Sequence, residues 1–182
     1  IDRVVVVGRD QIKRAGFLGL GRQNVVDKMR EEVRGVIAGT TRALEQSGLR
    51  GEERVDALCS RAMAHADLGE PAKGLPDAQA AARVGPRSAN AAWCLATLQF
   101  AHGDFSAAVA AFSRALSLGH DALEAQYRRG IARFYQGDLG GASDDFDQAL
   151  KAEGDDGTRQ FVRLWHAWTL LQQGRPLPDA LL

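Results

Sequence analysis

The sequence is poor in the residues that catalytic, metal and membrane sites most often need. Its 182 residues include two cysteines and four histidines, and no run of 18 apolar residues occurs. The chain therefore lacks the sequence pattern of a membrane-spanning helix. Its 23 basic and 23 acidic side chains balance, so it also lacks the basic excess that is typical of nucleic-acid-binding proteins.

The few cysteines and histidines are not arranged as ligands. Cys59 and Cys94 fall on neighbouring predicted helices, whose axes should lie about 8–10 Å apart. A disulfide needs a Cα separation of about 4.4–6.8 Å, so we expect two partly buried free thiols. No histidine has a second His or Cys three or four residues away, and we expect all four on helix faces or turns: His65, His102, His120 and His166. We predict no metal site.

No pattern of catalytic residues is present either. Acid–base catalysis by carboxylates needs a water-poor pocket, whereas we expect the acidic run Asp144, Asp145 and Asp147 on the solvated face of a helix. The pair Asp155-Asp156 lacks the spaced oxygen ligands of a calcium loop. The glycines at 16, 19 and 21 do not match the dinucleotide-binding fingerprint. We predict no enzymatic activity and no cofactor.

Small residues, in contrast, return at a fixed interval. Residues 103–105 (Gly-Asp-Phe) recur 34 positions later as residues 137–139 (Gly-Asp-Leu). Residues 112–116 (Phe-Ser-Arg-Ala-Leu) recur as residues 146–150 (Phe-Asp-Gln-Ala-Leu) at the same interval. One period before Gly103 stands Gly69. A period of this length indicates a stacked array of helical repeats.

This pattern resembles the tetratricopeptide repeat, which has two antiparallel helices per 34 residues. In that family a small residue lies midway along the first helix, a glycine follows at the turn, and two alanines flank an aromatic residue in the second helix. The matching residues are Ala96, Gly103, Ala108, Phe112 and Ala115, then Gly130, Gly137, Ala142, Phe146 and Ala149. Pro86 matches the closing proline, where later units have His120 and Gly154. The resemblance covers residues 55–173.

The resemblance implies an all-α superhelix of about three helix-turn-helix units with a capping helix at each end. We expect a linker or extended segment at 1–23, a capping helix at 24–50 begun by Asn24, and a repeat domain at 52–182. Its units span 55–88, 89–122 and 123–156, followed by a helix at 158–173. Proline has no amide hydrogen to donate, so Pro76 should begin a short second helix in the first unit. Ser88 should cap the second unit.

In the family, the first helix of each unit lines a curved groove. The residues expected to face it are Cys59, Met63, Asn90, Trp93, Thr97, Phe100, Glu124, Tyr127, Arg128, Ile131 and Phe134. Aromatic anchors with few charges suit an apolar peptide or helix, although the same rings could simply pack between helices. One subclass of the family binds the C-terminal carboxylate of heat-shock chaperones through Lys, Asn and Arg. At the matching positions only Arg128 fits, beside Cys59, Met63, Cys94 and Glu124.

The resulting hypothesis is a non-catalytic scaffold that binds a peptide or helix of a partner protein in the groove. The alternative is a self-association or accessory module of a larger protein. In that case residues 4–7, four valines with strand character, and the helix at 161–171 with Trp165 and Trp168 would make the contacts, including those of a homo-oligomer. A third reading is an enzyme whose catalytic domain lies elsewhere. The first residue is Ile1, so we expect a fragment. Abundant Ala and Arg favour a bacterial source, with cytoplasm and periplasm both open.

Overall fold

The computed structural model describes residues 19–46, 48–178 and 181, with side chains from Asn24 onward. The valines at 4–7 and the glycine at 16 lie outside these residues. The described part of the chain contains helices and no strand. The helices are α1 Gly19–Gln46, α2 Gly51–Asp67, α3 Pro71–Val84, α4 Ala89–His102, α5 Phe105–Ser117, α6 Ala122–Gln136, α7 Leu139–Lys151 and α8 Asp156–Gln172.

Consecutive helices pack against one another along the whole array. Three hairpins result, α2–α3, α4–α5 and α6–α7, with α1 against the first hairpin and α8 against the last. The first helix begins at Gly19, before the predicted cap Asn24, so Gly19 and Gly21 belong to a helix and not to a linker.

The recurring Gly-Asp pair ends one helix and begins the next. Gly103 and Gly137 have φ angles of 92° and 88°, in the left-handed region that glycine adopts without a steric cost. Asp104 then accepts a hydrogen bond from the Ala107 amide at 3.1 Å, and Asp138 accepts one from the Gly141 amide at 2.9 Å. These carboxylates satisfy helix amides that have no partner within the helix. The predicted cap Ser88 is confirmed by its contact with the Ala91 amide at 3.3 Å.

Small residues let the two helices of a hairpin approach closely. Phe146 of α7 is fully buried and lies against Gly130 of α6, where a Cβ atom would come within 2.6 Å of the ring. Ala96 occupies the matching place in the second hairpin, in the same buried cluster as Phe112. Glycine and alanine are therefore needed where the ring of the second helix crosses the first.

The prediction for Pro76 is wrong. Helix α3 begins at Pro71, spans 14 residues and continues through Pro76. Proline removes one helical hydrogen bond, but the helix is held from outside by its packing. Gly74 abuts the backbone carbonyl of Ala62 so closely that a side chain would collide with it, and Ala78 and Ala81 are fully buried.

Two polar side chains expected in solvent are buried. Asp145 of α7 is fully buried between two arginines: its carboxylate lies 2.6 Å from Arg129 Nη2 and 3.0 Å from Arg133 Nη1. His166 of α8 is buried with its Nε2 atom 3.0 Å from Ser143 Oγ on α7. Both groups have polar partners, and this is why burial is tolerated.

Candidate functional site

The first helices of successive hairpins contact each other directly. Helix α2 packs against α4, and α6 against α8. Asn90 Nδ2 of α4 donates to Asp56 Oδ1 of α2 at 2.8 Å, and the ring of Phe100 on α4 lies 6.0 Å from that of Tyr135 on α6. We call α2, α4, α6 and α8 the first-helix layer, and it contains every residue predicted to face the groove.

Three of those predicted residues have little surface to offer. Cys59, Thr97 and Ile131 are buried between helices. The cysteines are free, and the Cys94 thiol lies 4.0 Å from the Cys59 carbonyl oxygen. The neighbouring Cys59 thiol, followed by burial, raises the pKa of Cys94, so this thiol stays protonated. These residues contribute to the core of the layer.

The polar residues of the predicted groove are engaged with each other. Besides the Asn90–Asp56 contact, Arg128 Nε donates to Glu124 Oε1 at 2.7 Å one helical turn away. The Arg128 guanidinium also lies 5.8 Å from the ring centre of Tyr127. The only arginine in the predicted set is therefore neutralised by a neighbour within the same helix.

Two of the predicted aromatic anchors are tied to the scaffold. Trp93 stacks on His120 with ring centres 4.2 Å apart and meets Phe112 edge-on at 5.3 Å. Tyr127 lies 6.5 Å from Phe146, and burial raises the pKa of its hydroxyl. Both side chains are half-buried. They pack between helices while leaving part of each ring at the surface.

A connected set of aromatic rings runs along the C-terminal halves of α4, α6 and α8. Adjacent ring centres lie 5.1–6.0 Å apart, a range typical of favourable aromatic pairs. Tyr135 is 50% exposed and Trp168 is 49% exposed, while the other rings are half-buried. We call this set the aromatic row: Phe100, Phe105, Phe134, Tyr135, Trp165 and Trp168.

Of the aromatic row, only Phe100 and Phe134 were predicted at the groove. The sequence placed Trp165 and Trp168 on a terminal helix, because the interval to that helix grows from 34 to 37 residues. With this longer interval the burial pattern of α6 returns: buried Ala125 and Ala132 correspond to buried Val162 and Thr169. Helix α8 thus occupies the place of a further first helix, and the longer interval was the signal that could have revealed it.

Other kinds of site are not apparent among the residues that the structure describes. No group of three or more His, Cys, Asp or Glu side chains there could hold a metal ion. No helix of the described ranges is long and apolar enough to cross a membrane. Ser143, His166 and Asp147 form a chain, with His166 Nδ1 3.6 Å from Asp147 Oδ1. Ser143 is buried, so this chain cannot meet a substrate and serves to join α7 to α8.

Stacked helical hairpins whose first helices contact one another define an α-solenoid. The family model of the tetratricopeptide repeat matches residues 59–122 and again residues 94–157, and the chain belongs to this family. The predicted all-α superhelix of tetratricopeptide repeats is confirmed. A search among curated protein sequences found no match.

Solved structures with the same fold have low sequence identity to this chain. The crystal structure of MamA has a TM-score of 0.67 at 16% identity and covers 87% of each chain. The first TPR of Spaghetti (RPAP3), bound to the HSP90 peptide SRMEEVD, has a TM-score of 0.57 at 18% identity, covering 65% of this chain and 95% of that one. YrrB, a TPR protein with an unusual peptide-binding site, has a TM-score of 0.62 at 19% identity, covering 80% and 72%.

Proposed function

We propose that this chain is a non-catalytic scaffold that binds a peptide or helix of a partner protein along its first-helix layer. The observation that carries this proposal is the aromatic row, in which Tyr135 and Trp168 keep about half of their surface exposed. Large rings held at a protein surface are the most frequent anchors of protein–protein interfaces. Peptide binding by two of the structurally similar proteins, RPAP3 and YrrB, supports the same reading.

The chemistry of the surface favours an apolar partner. Burying an aromatic side chain removes a large area from water, and each Å² of apolar surface contributes about 25 cal/mol. The nearby polar groups are paired with one another, Asn90 with Asp56 and Glu124 with Arg128. A partner that needs a strong charged contact would have to break one of these pairs. An apolar or aromatic segment needs only to cover the rings.

The proposed contacts differ in part from the residues predicted from sequence. Phe100, Phe134, Tyr135 and Trp168 would contact the partner directly. Trp93 and Tyr127 would hold the surface in shape through their contacts with His120 and Phe146. Asn90, Glu124, Arg128 and Met63 would border the site.

Peptide selection tests the proposal without knowledge of the natural partner. A random peptide library displayed on phage would be selected against the purified chain, and the affinity of recovered peptides measured by fluorescence anisotropy. Tyr135→Ala should weaken binding by about tenfold or more, because truncating a central interface ring costs more than about 1 kcal/mol. Far-ultraviolet circular dichroism should show unchanged helix content, since half of the Tyr135 side chain contacts only water.

Val84→Ala is the matched control. Val84 is an apolar residue of α3 with 38% exposure, and it lies outside the first-helix layer. Its removal should leave peptide affinity unchanged. The proposal fails if recovered peptides bind Tyr135→Ala as tightly as the unaltered chain, or if their binding is lost in Val84→Ala.

A further inference from the structure

The last helix has an uncovered apolar stripe. Four large residues of α8 are between 46% and 67% exposed: Phe161, Leu164, Trp168 and Leu171. They are separated by three, four and three residues, which places them along one narrow line of the helix. This spacing is that of the a and d positions through which two helices pack in a coiled coil. The stripe therefore suits one further helix.

The first helix has a stripe with identical spacing. Val26, Met29, Val33 and Val36 are likewise separated by three, four and three residues. Val26 is 41% exposed and Val36 is 46% exposed, while the other two are half-buried. Helix α1 has 28 residues against 17 in α2, so at 1.5 Å per residue it extends about 16 Å past the helix it packs on.

These two stripes lie at opposite ends of the array. Helix α1 contacts α2, and α8 contacts α7 and α6. The hairpins between them keep α1 and α8 of one chain apart. A second copy of the chain is the occupant that can bring an α1 stripe to an α8 stripe. Their side chains are also complementary in size, because three valines and a methionine face two leucines, a phenylalanine and a tryptophan.

We propose that the α1 stripe of one copy packs against the α8 stripe of a second copy. This contact is heterologous, so each added copy leaves one α1 stripe and one α8 stripe free, and assembly continues until a ring closes or a filament forms. Each stripe is about 15 Å long, because it spans ten residues of helix. An interface of this size buries little area, so association is weak and rises with protein concentration.

Two charge-introducing variants, one in each stripe, test the proposal. In analytical ultracentrifugation the average mass of the unaltered chain should rise with concentration. Val36→Glu breaks the α1 stripe and Leu164→Glu breaks the α8 stripe, so each variant alone should stay monomeric. An equimolar mixture should form dimers and no larger species, because the intact α8 stripe of Val36→Glu can bind the intact α1 stripe of Leu164→Glu.

Every other outcome contradicts the proposal. If the unaltered chain remains monomeric at millimolar concentration, the stripes do not associate. If Val36→Glu alone still associates while Leu164→Glu does not, α8 pairs with α8, and the reverse result means that α1 pairs with α1. Val84→Glu is the control for an added charge on exposed valine, and it should associate as the unaltered chain does. Neither Val36 nor Leu164 belongs to the aromatic row, so the result is independent of peptide binding.

Discussion

The second and third hairpins hold their helices together at matching positions in chemically opposite ways. In the second hairpin the paired positions are Leu95 and Ala111, both part of an apolar cluster. In the third hairpin, 34 residues later, they are Arg129 and Asp145. The Arg129 guanidinium donates to both carboxylate oxygens, from Nη2 to Oδ1 at 2.6 Å and from Nε to Oδ2 at 3.0 Å.

The first hairpin repeats the charged version. Arg61 Nε donates to Asp77 Oδ2 at 2.6 Å, and its Nη1 donates to Thr41 Oγ1 of the preceding helix at 3.1 Å. The hydrogen bond with Asp77 raises the pKa of Arg61. Arg129 makes the equivalent third contact, to Ser113 Oγ at 3.0 Å. The comparison teaches that this position accepts an apolar pair or an ion pair, provided that both members belong to the same kind.

The largest expected effect is that of breaking the charged pair on one side. Asp145→Ala leaves Arg129 and Arg133 without their shared carboxylate in a buried place. Removal of one partner of a buried pair costs about 3–5 kcal/mol, and we expect about 3 kcal/mol because Arg129 is still partly reached by water. Urea unfolding monitored by circular dichroism measures the change. A loss below about 1 kcal/mol would show that the pair does not stabilise the third hairpin.

A smaller loss is expected where the ring of the second helix crosses the first. Gly130→Ala places a methyl group against the fully buried Phe146, which has no space to move, and overpacking of this kind costs about 1–3 kcal/mol. The reverse exchange in the second hairpin, Ala96→Gly, should cost about 1 kcal/mol through helix propensity alone. The same unfolding assay compares the two. If Gly130→Ala were stabilising, the close approach would not limit residue size.

A still smaller effect is expected when both members of the pair change together. Arg129→Leu combined with Asp145→Ala gives the third hairpin the pair found in the second. Replacing a buried ion pair by packed apolar residues is often neutral, so we expect the double variant to lie within about 1.5 kcal/mol of the unaltered chain. Arg133 keeps its contact with the Gly141 carbonyl at 3.1 Å. A double variant as unstable as Asp145→Ala would mean that the two solutions are not interchangeable.

The smallest expected effect concerns one proton at the junction of α7 and α8, which has no counterpart in the hairpins. Burial lowers the pKa of His166, with Asp147 opposing this shift and Arg175 adding to it. The unfolded chain therefore binds the proton more readily, and stability should fall as pH drops below the ordinary histidine pKa of about 6.5. His166→Gln should reduce this dependence in unfolding curves between pH 7.5 and 5. An unchanged pH profile would show that His166 does not titrate differently in the folded protein.

The repeating parts of this fold could be read from sequence, because a period of 34 residues fixes where small residues, turn glycines and buried rings recur. The burial of Asp145 could not, since its partner Arg129 lies 16 residues away and unit two has no such pair to compare. Pro76 misled because local propensity predicted a break, whereas packing of Gly74 on Ala62 keeps the helix intact. The aromatic row was seen only in part, because the three additional residues before α8 shift its register.

Hydrogen exchange of the chain with and without a library-selected peptide tests the proposed binding surface most directly. The account predicts slower exchange at the C-terminal halves of α4 and α6 and along α8, which carry Phe100, Phe134, Tyr135 and Trp168. The second helices α3, α5 and α7 should show no comparable change. Protection confined to those second helices would contradict the proposed site.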